Sequence, residues 1–227
     1  CTYVSIRDPR GCRPTIRNCV ITNNHGTFAG AIRCRSHCEP LITKCIICDN
    51  VGAYAGGINY SDECRPILSS CAIRGNSSQY TGGVRTGGAR CHGTITNCLI
   101  AGNRSGSGYE AAGVEWWAYG GSLTMTNCTI VNNAGGPGIL VGGGGDAQGT
   151  ITNCLVWGNA GSLWQGSPQV YLWQMSAEVT YCDVESGWEG EGNIGADPLF
   201  VDPDGVDGIA GTEDDNLRLL GGSPCLD

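Results

Sequence analysis

The sequence predicts an all-β solenoid of about seven stacked coils, and three observations support this class. A phrase like that at residues 150–159 recurs along the chain, centred on cysteines spaced 26, 26, 27, 30, 26 and 28 residues apart. Self-similarity at such a period is the signature of stacked repeats. Aliphatic residues alternate with polar ones over short segments, as they do in strands. No window shows the 3.6-residue period of an amphipathic helix, so almost no helix is expected.

Each repeat contains three short strands, and each strand supplies one inward-facing aliphatic position. These positions fall about thirteen residues before the central cysteine, three residues before it and two residues after it. Because alternate residues of a strand face opposite sides, each position predicts one buried column. The columns are Ile6, Ile32, Ile58, Val84, Val114, Ile139 and Val170; Ile16, Ile42, Leu68, Ile95, Met125, Ile151 and Val179; and Ile21, Ile47, Ile73, Ile100, Ile130, Val156 and Val184.

Asparagine and glycine mark the corners between these strands. The residue before the cysteine, for example Asn18 or Asn97, has to turn the chain, and asparagine tolerates the left-handed conformation of a tight corner. A second asparagine follows the cysteine by five residues, and a buried stack of amides can hydrogen-bond from coil to coil. Three strands and three corners in about 26 residues make one coil of a parallel β-helix. The predicted ladder comprises Asn24, Asn50, Asn76, Asn103, Asn133 and Asn159.

These phrases and corners resemble those of the right-handed parallel β-helix repeat proteins, the superfold of pectate lyases and of many bacterial surface proteins. The resemblance covers about residues 6–184 and is specific for the fold but not for an activity. It implies an extracellular or cell-surface protein of bacterial type. It also implies that a sugar ligand would lie on the outward face of the first strand of each coil. Residues 192–227 are similar to segments that close such helices in large secreted proteins.

The repeat fails after Asp183, which divides the chain into a β-helix array at 1–185 and an acidic, Gly/Pro-rich cap or extension at 186–227. The net charge of −8 argues against a nucleic-acid partner. The lack of any run of 18 apolar residues argues against a transmembrane helix. Oxygen ligands on a Gly-rich loop suit calcium as a cofactor, and a solvated acidic loop is the alternative. The calcium ligands would be Asp202, Asp204, Asp207, Glu213, Asp214 and Asp215.

Most of the fifteen cysteines fall on two repeat columns. The central column is expected to face inward as small apolar side chains, and a linear stack of thiols does not converge on a metal ion. A second column lies seven residues earlier, where a disulfide between neighbouring coils and plain packing of small side chains are both open. The central column is Cys19, Cys45, Cys71, Cys98, Cys128, Cys154 and Cys182, and the second is Cys12, Cys38, Cys64 and Cys91.

The outward face of the first strand carries the candidate ligand surface. Guanidinium groups pair with carboxylates, and aromatic rings stack on sugar faces. Along this face a stripe of arginines grades into aromatic residues. This stripe therefore predicts binding of an acidic polysaccharide, with an ordinary solvated sheet face as the alternative. Strand alternation exposes six residues there that we assign to substrate binding: Arg33, Arg85, Glu115, Trp117, Tyr171 and Trp173.

Candidate catalytic groups are sparse along the array. A glycosidase needs two carboxylates about 5 to 10 Å apart, and only the pairs Asp62–Glu63 and Glu110–Glu115 come near each other in sequence. No catalytic residue is therefore assigned, and a polysaccharide lyase or glycoside hydrolase is the less favoured hypothesis, together with a carbohydrate-binding module. The favoured hypothesis is an extracellular structural or adhesive rod. Since the ends of a β-helix expose unpaired strand edges, such a rod could assemble head to tail into a filament or surface layer.

Overall fold

The computed structural model describes residues 4–7, 11–161 and 169–226. Within them the chain forms 27 β-strands, numbered β1 to β27 in chain order, and no helix. Each strand of the three long sheets pairs in parallel with its counterpart one coil away. The predicted parallel β-helix is confirmed, and the chain completes six full turns between the first and seventh strands of each sheet. The described residues include no helix long and apolar enough to cross a membrane.

Three long sheets form the walls of the solenoid. The first contains β1 (Val4–Arg7), β5 (Ile32–Arg35), β9 (Ile58–Ser61), β13 (Val84–Ala89), β17 (Val114–Tyr119), β20 (Ile139–Gly142) and β23 (Val170–Trp173). The second contains β2 (Thr15–Arg17), β6 (Leu41–Thr43), β10 (Ile67–Ser69), β14 (His92–Thr96), β18 (Ser122–Thr126), β21 (Gln148–Thr152) and β24 (Ser176–Thr180). The third contains β3 (Val20–Thr22), β7 (Ile46–Cys48), β11 (Ala72–Arg74), β15 (Leu99–Ala101), β19 (Thr129–Val131), β22 (Leu155–Trp157) and β25 (Asp183–Val184).

Two smaller sheets complete the fold. A short parallel sheet lies in the corner between the third sheet and the first sheet of the following coil, and an antiparallel hairpin lies in the tail. The short sheet contains β4 (His25–Gly26), β8 (Val51–Gly52), β12 (Ser77–Ser78) and β16 (Arg104–Ser105), and the hairpin contains β26 (Phe200–Asp202) and β27 (Asn216–Leu219).

The three predicted aliphatic columns fill the interior. From the second coil to the seventh, every member of these columns is at most 3% exposed. Their counterparts in the first coil, Ile6, Ile16 and Ile21, are only partly buried, because β1, β2 and β3 have a described neighbour on one side only. The core is therefore one continuous stack whose burial is complete wherever a coil is covered on both sides.

The corner between the second and third sheets requires a left-handed residue in every coil. The predicted asparagines have φ between 51° and 54°, as at Asn18 and Asn153. Lys44, Ser70 and Tyr181 adopt the same conformation in the other coils, with φ between 52° and 53°. Since left-handed φ costs an ordinary residue about 1–2 kcal/mol, the geometry of the coil overrides local preference at these three positions.

The central cysteine column lies inside the solenoid, as predicted, from Cys45 to Cys182. Each thiol in the column donates a hydrogen bond of 3.2–3.3 Å to the carbonyl two residues earlier, across the left-handed corner. Among the described residues the prediction is wrong for Cys19, which is exposed because the first coil has a described neighbour on one side only. The column therefore combines small apolar volume with a weak donor for a corner carbonyl.

The predicted asparagine ladder is confirmed. From Asn50 to Asn159, each side-chain oxygen accepts two hydrogen bonds from the asparagine one coil earlier, one from its backbone N–H and one from Nδ2, at 2.8–3.1 Å. From Asn50 onward, Nδ2 also donates to a third-sheet carbonyl of the preceding coil at 2.9 Å. These amides are at most 2% exposed from Asn50 to Asn159. The ladder thus satisfies polar groups that the corner would otherwise bury without partners.

Gln169 ends the ladder, and sequence analysis missed it. Its Oε1 accepts from Nδ2 of Asn159 at 2.7 Å, and its Nε2 donates to a carboxylate oxygen of Glu185 at 2.6 Å. Gln169 lies outside the five-after-cysteine position that defines the other members. The longer side chain of Gln169 reaches Asn159 from a different part of the coil. It extends the hydrogen-bonded chain of amides to the partly exposed carboxylate of Glu185.

One disulfide ties the first two coils together. It joins Cys12 and Cys38, neighbours in the second cysteine column that are separated by 26 residues. Cys64 and Cys91, which continue this column, are buried free thiols. Burial raises the pKa of the Cys91 thiol to about 11, so this thiol stays protonated near neutral pH and is a poor nucleophile.

We expect a Cys12→Ser/Cys38→Ser variant to unfold with a free energy about 2 kcal/mol lower than that of the parent protein. The cross-link restricts a 26-residue loop in the unfolded chain, and such links contribute about 2–4 kcal/mol. The lower end applies because the side chains of the first coil are only partly buried, and a partly buried segment opens more readily than the interior. Chemical denaturation measures the difference. A reductant must shift the parent curve onto that of the variant, and a parent curve insensitive to reductant would contradict the expectation.

The C-terminal segment covers the last coil and then folds back along the solenoid. The N–H of Ile194 donates to the carbonyl of Cys182 at 2.9 Å, and Oδ1 of Asn193 accepts from the N–H of Cys182 at 2.9 Å. Further on, Glu213 forms a 2.9 Å ion pair with Arg74 of the third coil. The tail therefore supplies hydrogen-bond partners to an open strand edge, and it contacts coils well away from the end that it closes.

Candidate functional site

Two outward rows on the first sheet carry the candidate site. The parallel register aligns one residue from each coil, so each row runs along the solenoid axis. Small residues alternate with tryptophans in the second row. The first row contains Ser5, Arg33, Asn59, Arg85, Glu115, Leu140 and Tyr171, and the second contains Gly87, Trp117, Gly142 and Trp173.

Gly142 makes room for the ring of Trp117. A Cβ placed on Gly142 would lie 2.7 Å from ring atoms of Trp117 and 3.3 Å from Cβ of Trp173. The indole of Trp117 therefore lies over the glycine of the next coil instead of projecting into solvent. Beyond it, the rings of Tyr171 and Trp173 are 6.3 Å apart between centroids and are tilted by 39°. The small–large alternation of the second row thus holds aromatic side chains against the sheet surface.

These residues enclose a pocket of about 300 Å³. Five of the six side chains predicted to bind substrate line it, and Arg33 does not. The structure adds Tyr109 and Glu110 from the corner segment before β17, and Leu140 from β20. The lining residues are Arg85, Tyr109, Glu110, Glu115, Trp117, Leu140, Tyr171 and Trp173.

Glu115 is buried, contrary to the prediction that strand alternation would expose it. It is 3% exposed and forms an ion pair with Arg85, whose Nε lies 3.3 Å from Oε1. The hydroxyl of Thr81 donates to its other oxygen, Oε2. Desolvation raises the pKa of Glu115, while Arg85 and Thr81 oppose that shift. Alternation correctly places Glu115 on the outer face, but neighbouring coils and the corner segment cover it there.

Glu110 reaches the pocket from the insertion at residues 104–110. Its carboxylate accepts a hydrogen bond from the hydroxyl of Ser107, which also accepts from the N–H of Tyr109 at 3.2 Å. The sequence signal for this segment was the interval of 30 residues between Cys98 and Cys128, since insertions in a solenoid often build its binding face. Two carboxylates, of Glu110 and Glu115, and the guanidinium of Arg85 therefore line the same pocket.

A stack of aromatic rings continues from the pocket toward the first coil. The ring centroids of Phe28 and Tyr54 are 5.4 Å apart and those of Tyr54 and Tyr80 are 5.1 Å apart, with interplanar angles of 10° and 11°. The faces of these rings pack against one another, so the rings form a wall and are not available to stack on a sugar. Arg33 lies over the Phe28 ring at 3.6 Å, which explains its place outside the pocket.

Three of the six predicted calcium ligands, Asp207, Asp214 and Asp215, accept hydrogen bonds from backbone N–H groups. Asp214 accepts hydrogen bonds from the N–H groups of Val206 and Asp207 at 2.6 and 3.0 Å, and Asp215 accepts from the N–H of Gly211. In the described part of the chain, no group of three or more His, Cys, Asp or Glu side chains is arranged to hold a metal ion. Calcium binding by residues 202–215 stays a prediction.

Comparison with known families supports the architecture. A family model described as a right-handed beta helix region matches residues 2–116, about half of the chain. No curated protein and no solved structure matches the sequence significantly.

Proposed function

The chain belongs to the right-handed β-helix family, and on that basis we propose that it binds a saccharide in the pocket on the outer face of its first sheet. The observation that carries the proposal is the convergence of four aromatic residues, three charged residues and Leu140 from four consecutive coils on one cavity. Concave sites with aromatic walls and few polar groups are typical of ligand pockets.

The aromatic side chains supply the apolar part of the binding energy. Trp117 and Trp173 combine a large apolar ring with one polar N–H, which suits the C–H faces and hydroxyls of a sugar ring. Strand backbone holds both residues in register, and Gly142 leaves space for the Trp117 ring. Such preorganisation lowers the entropy that binding must overcome.

The carboxylates that line the pocket favour a function in saccharide binding over one in saccharide cleavage. Oε2 of Glu115 already accepts hydrogen bonds from Thr81 and Arg85, Oε1 lies 3.3 Å from Nε of Arg85, and Glu110 is held by Ser107. These oxygens therefore use part of their accepting capacity within the protein, where they orient neighbouring side chains. A binding module therefore explains the arrangement better than a lyase or a hydrolase does.

We expect Trp117→Ala to weaken saccharide binding at least about tenfold, the equivalent of about 1.4 kcal/mol. Screening the protein against an array of immobilised oligosaccharides identifies the ligand, and calorimetry with that ligand measures the change. Trp157→Ala is the matched control, because Trp157 is a half-buried tryptophan on the third sheet, away from the pocket. Equal loss in both variants, or binding by neither the parent protein nor the variants, would refute the proposal. Release of reducing or unsaturated sugars during the assay would favour an enzyme.

A second candidate function is a structural rod that associates end to end at a cell surface. The observation favouring it is the stack of three seven-stranded parallel sheets, in which each coil pairs with the next along a single axis. The disulfide between Cys12 and Cys38 favours an oxidising, extracellular location. Light scattering that detects only monomers across a wide range of concentrations would count against this candidate.

A further inference from the structure

The charged groups in the pocket are unbalanced, and this imbalance bears on which sugar fits. One guanidinium, of Arg85, lies among the lining residues with two carboxylates, of Glu110 and Glu115. Arg85 pairs with Glu115 at 3.3 Å, and the pair is largely buried, with side-chain exposures of 20% and 3%. The charge of Arg85 is therefore already compensated by the protein, and the carboxylate of Glu110 is the one left in excess.

The aromatic side chains that line the pocket also favour a positively charged ligand. Tyr109, Trp117, Tyr171 and Trp173 all line the cavity, and the faces of such rings carry partial negative charge that attracts cations. An ammonium group within about 6 Å of a ring centroid gains about 0.5–2 kcal/mol from this effect. A carboxylate ligand would instead meet the rings and Glu110, and among the described lining residues its one cationic partner would be Arg85, which already pairs with Glu115.

We propose that the sugar bound in this pocket carries an ammonium group, as in a deacetylated amino sugar, with the ammonium held by Glu110 and the surrounding rings. This inference rests on the proposed saccharide function and replaces the acidic polysaccharide expected from the arginine stripe. A pocket of about 300 Å³ is at the small end of ligand sites, so it holds about one sugar unit of an oligomer.

The test compares oligosaccharides of equal length that differ in one group. Glucosamine, N-acetylglucosamine and galacturonate tetramers are titrated into the full chain by calorimetry at pH 6 and low salt. We expect the glucosamine tetramer to bind at least tenfold more tightly than the N-acetylated tetramer and the galacturonate tetramer to bind most weakly. Added salt is expected to reduce the preference, since it screens charge.

Two variants test whether Glu110 causes the preference for the glucosamine tetramer. Glu110→Gln keeps an acceptor for the Ser107 hydroxyl but removes the charge, and we expect the tenfold preference to fall to about twofold. Glu178→Gln makes the same charge change at an exposed position on the second sheet, and we expect it to leave the preference intact. An equal loss in both variants would mean that overall charge, and not the pocket, causes the preference, and would overturn the inference.

The pH dependence provides a second readout of the same site. The groups that face Glu115 are Arg85, Thr81 and Glu110, and the pKa of Glu115 is raised above its ordinary value, chiefly by burial. As the pH falls through that raised pKa, Glu115 takes up a proton, Arg85 loses its partner and the pocket gains one positive charge. Affinity for the glucosamine tetramer is expected to fall at a higher pH than titration of an exposed glutamate would cause.

The outcomes separate the two proposals. Equal binding of the glucosamine and N-acetylglucosamine tetramers, or tightest binding of the galacturonate tetramer, overturns the ammonium inference and leaves the saccharide site standing. If none of the three tetramers binds and the oligosaccharide array is also negative, the saccharide proposal itself fails. If choline binds and no sugar does, the rings and Glu110 recognise an ammonium group but not a sugar, and both proposals as stated are wrong.

Discussion

Asn103→Leu is expected to lower the free energy of unfolding by about 4 kcal/mol. Asn103 lies at the centre of the ladder and is fully buried. Its side-chain oxygen accepts from the N–H and Nδ2 of Asn76 at 3.1 and 3.0 Å, and its own Nδ2 donates to Ile73 and Asn133. Leucine nearly preserves the volume but leaves two buried donors of Asn76 without their partner, each at a penalty of about 1–3 kcal/mol.

The matched control for this variant is Gln79→Leu, which makes the polar-to-apolar change at an exposed position in a nearby corner. Exposed substitutions of this kind usually change stability by less than about 0.5 kcal/mol. Chemical denaturation followed by far-ultraviolet circular dichroism measures both variants. A loss below about 1 kcal/mol for Asn103→Leu would show that the amide ladder contributes little, because loss of even one buried partner exceeds that value. The ladder would then be a consequence of the coil and not a cause of its stability.

Gly93→Val is expected to destabilise the protein by about 3 kcal/mol. Gly93 faces the interior from β14, and a Cβ at this position would overlap the six-membered ring of Trp116, which is 1% exposed. The indole is surrounded by packed core, so it has no empty space to move into. Overpacking of a dense core costs about 1–3 kcal/mol, and the branched side chain of valine justifies the upper end.

A double-variant cycle isolates this steric contact. We expect Trp116→Phe to relieve part of the damage, so that Gly93→Val costs at least about 1 kcal/mol less in that background. Gly222→Val serves as the control, because a Cβ on Gly222 meets no other atom within 4 Å. Strictly additive effects of Gly93→Val and Trp116→Phe would show that the indole is not the group that excludes a side chain from position 93.

Gly93 and Gly142 are glycines whose structural role cannot be inferred from the neighbouring sequence. Gly142 falls in a Gly-rich run, which by itself suggests only a flexible corner, yet it ends β20 and accommodates the ring of Trp117. Gly93 stands at an inward position of β14, where a larger residue would be expected. In both cases the reason is a tryptophan from another strand, 23 or 25 residues away in sequence. No local pattern reveals such a pairing.

Glu115 and Glu110 illustrate the same limit at the candidate site. Strand alternation placed Glu115 on the outer face, but its burial depends on Thr81, Arg85 and the insertion that carries Glu110. The two rows of the first sheet were therefore predictable, whereas the pocket and its charge balance were not. Arg33 shows the converse, because it belongs to the predicted row but lies over Phe28 and outside the cavity.

By itself, the sequence determined the coil length, the three inward columns and the asparagine ladder, because strand alternation and coil-to-coil register repeat with a fixed period along the chain. The tertiary structure alone decided that Gln169 ends the ladder, that Cys12 pairs with Cys38 and that Glu115 is buried against Arg85. The physical reason is that these features depend on how far individual side chains reach between coils and on the path of an insertion. Neither quantity is periodic, so neither leaves a repeating trace in the sequence.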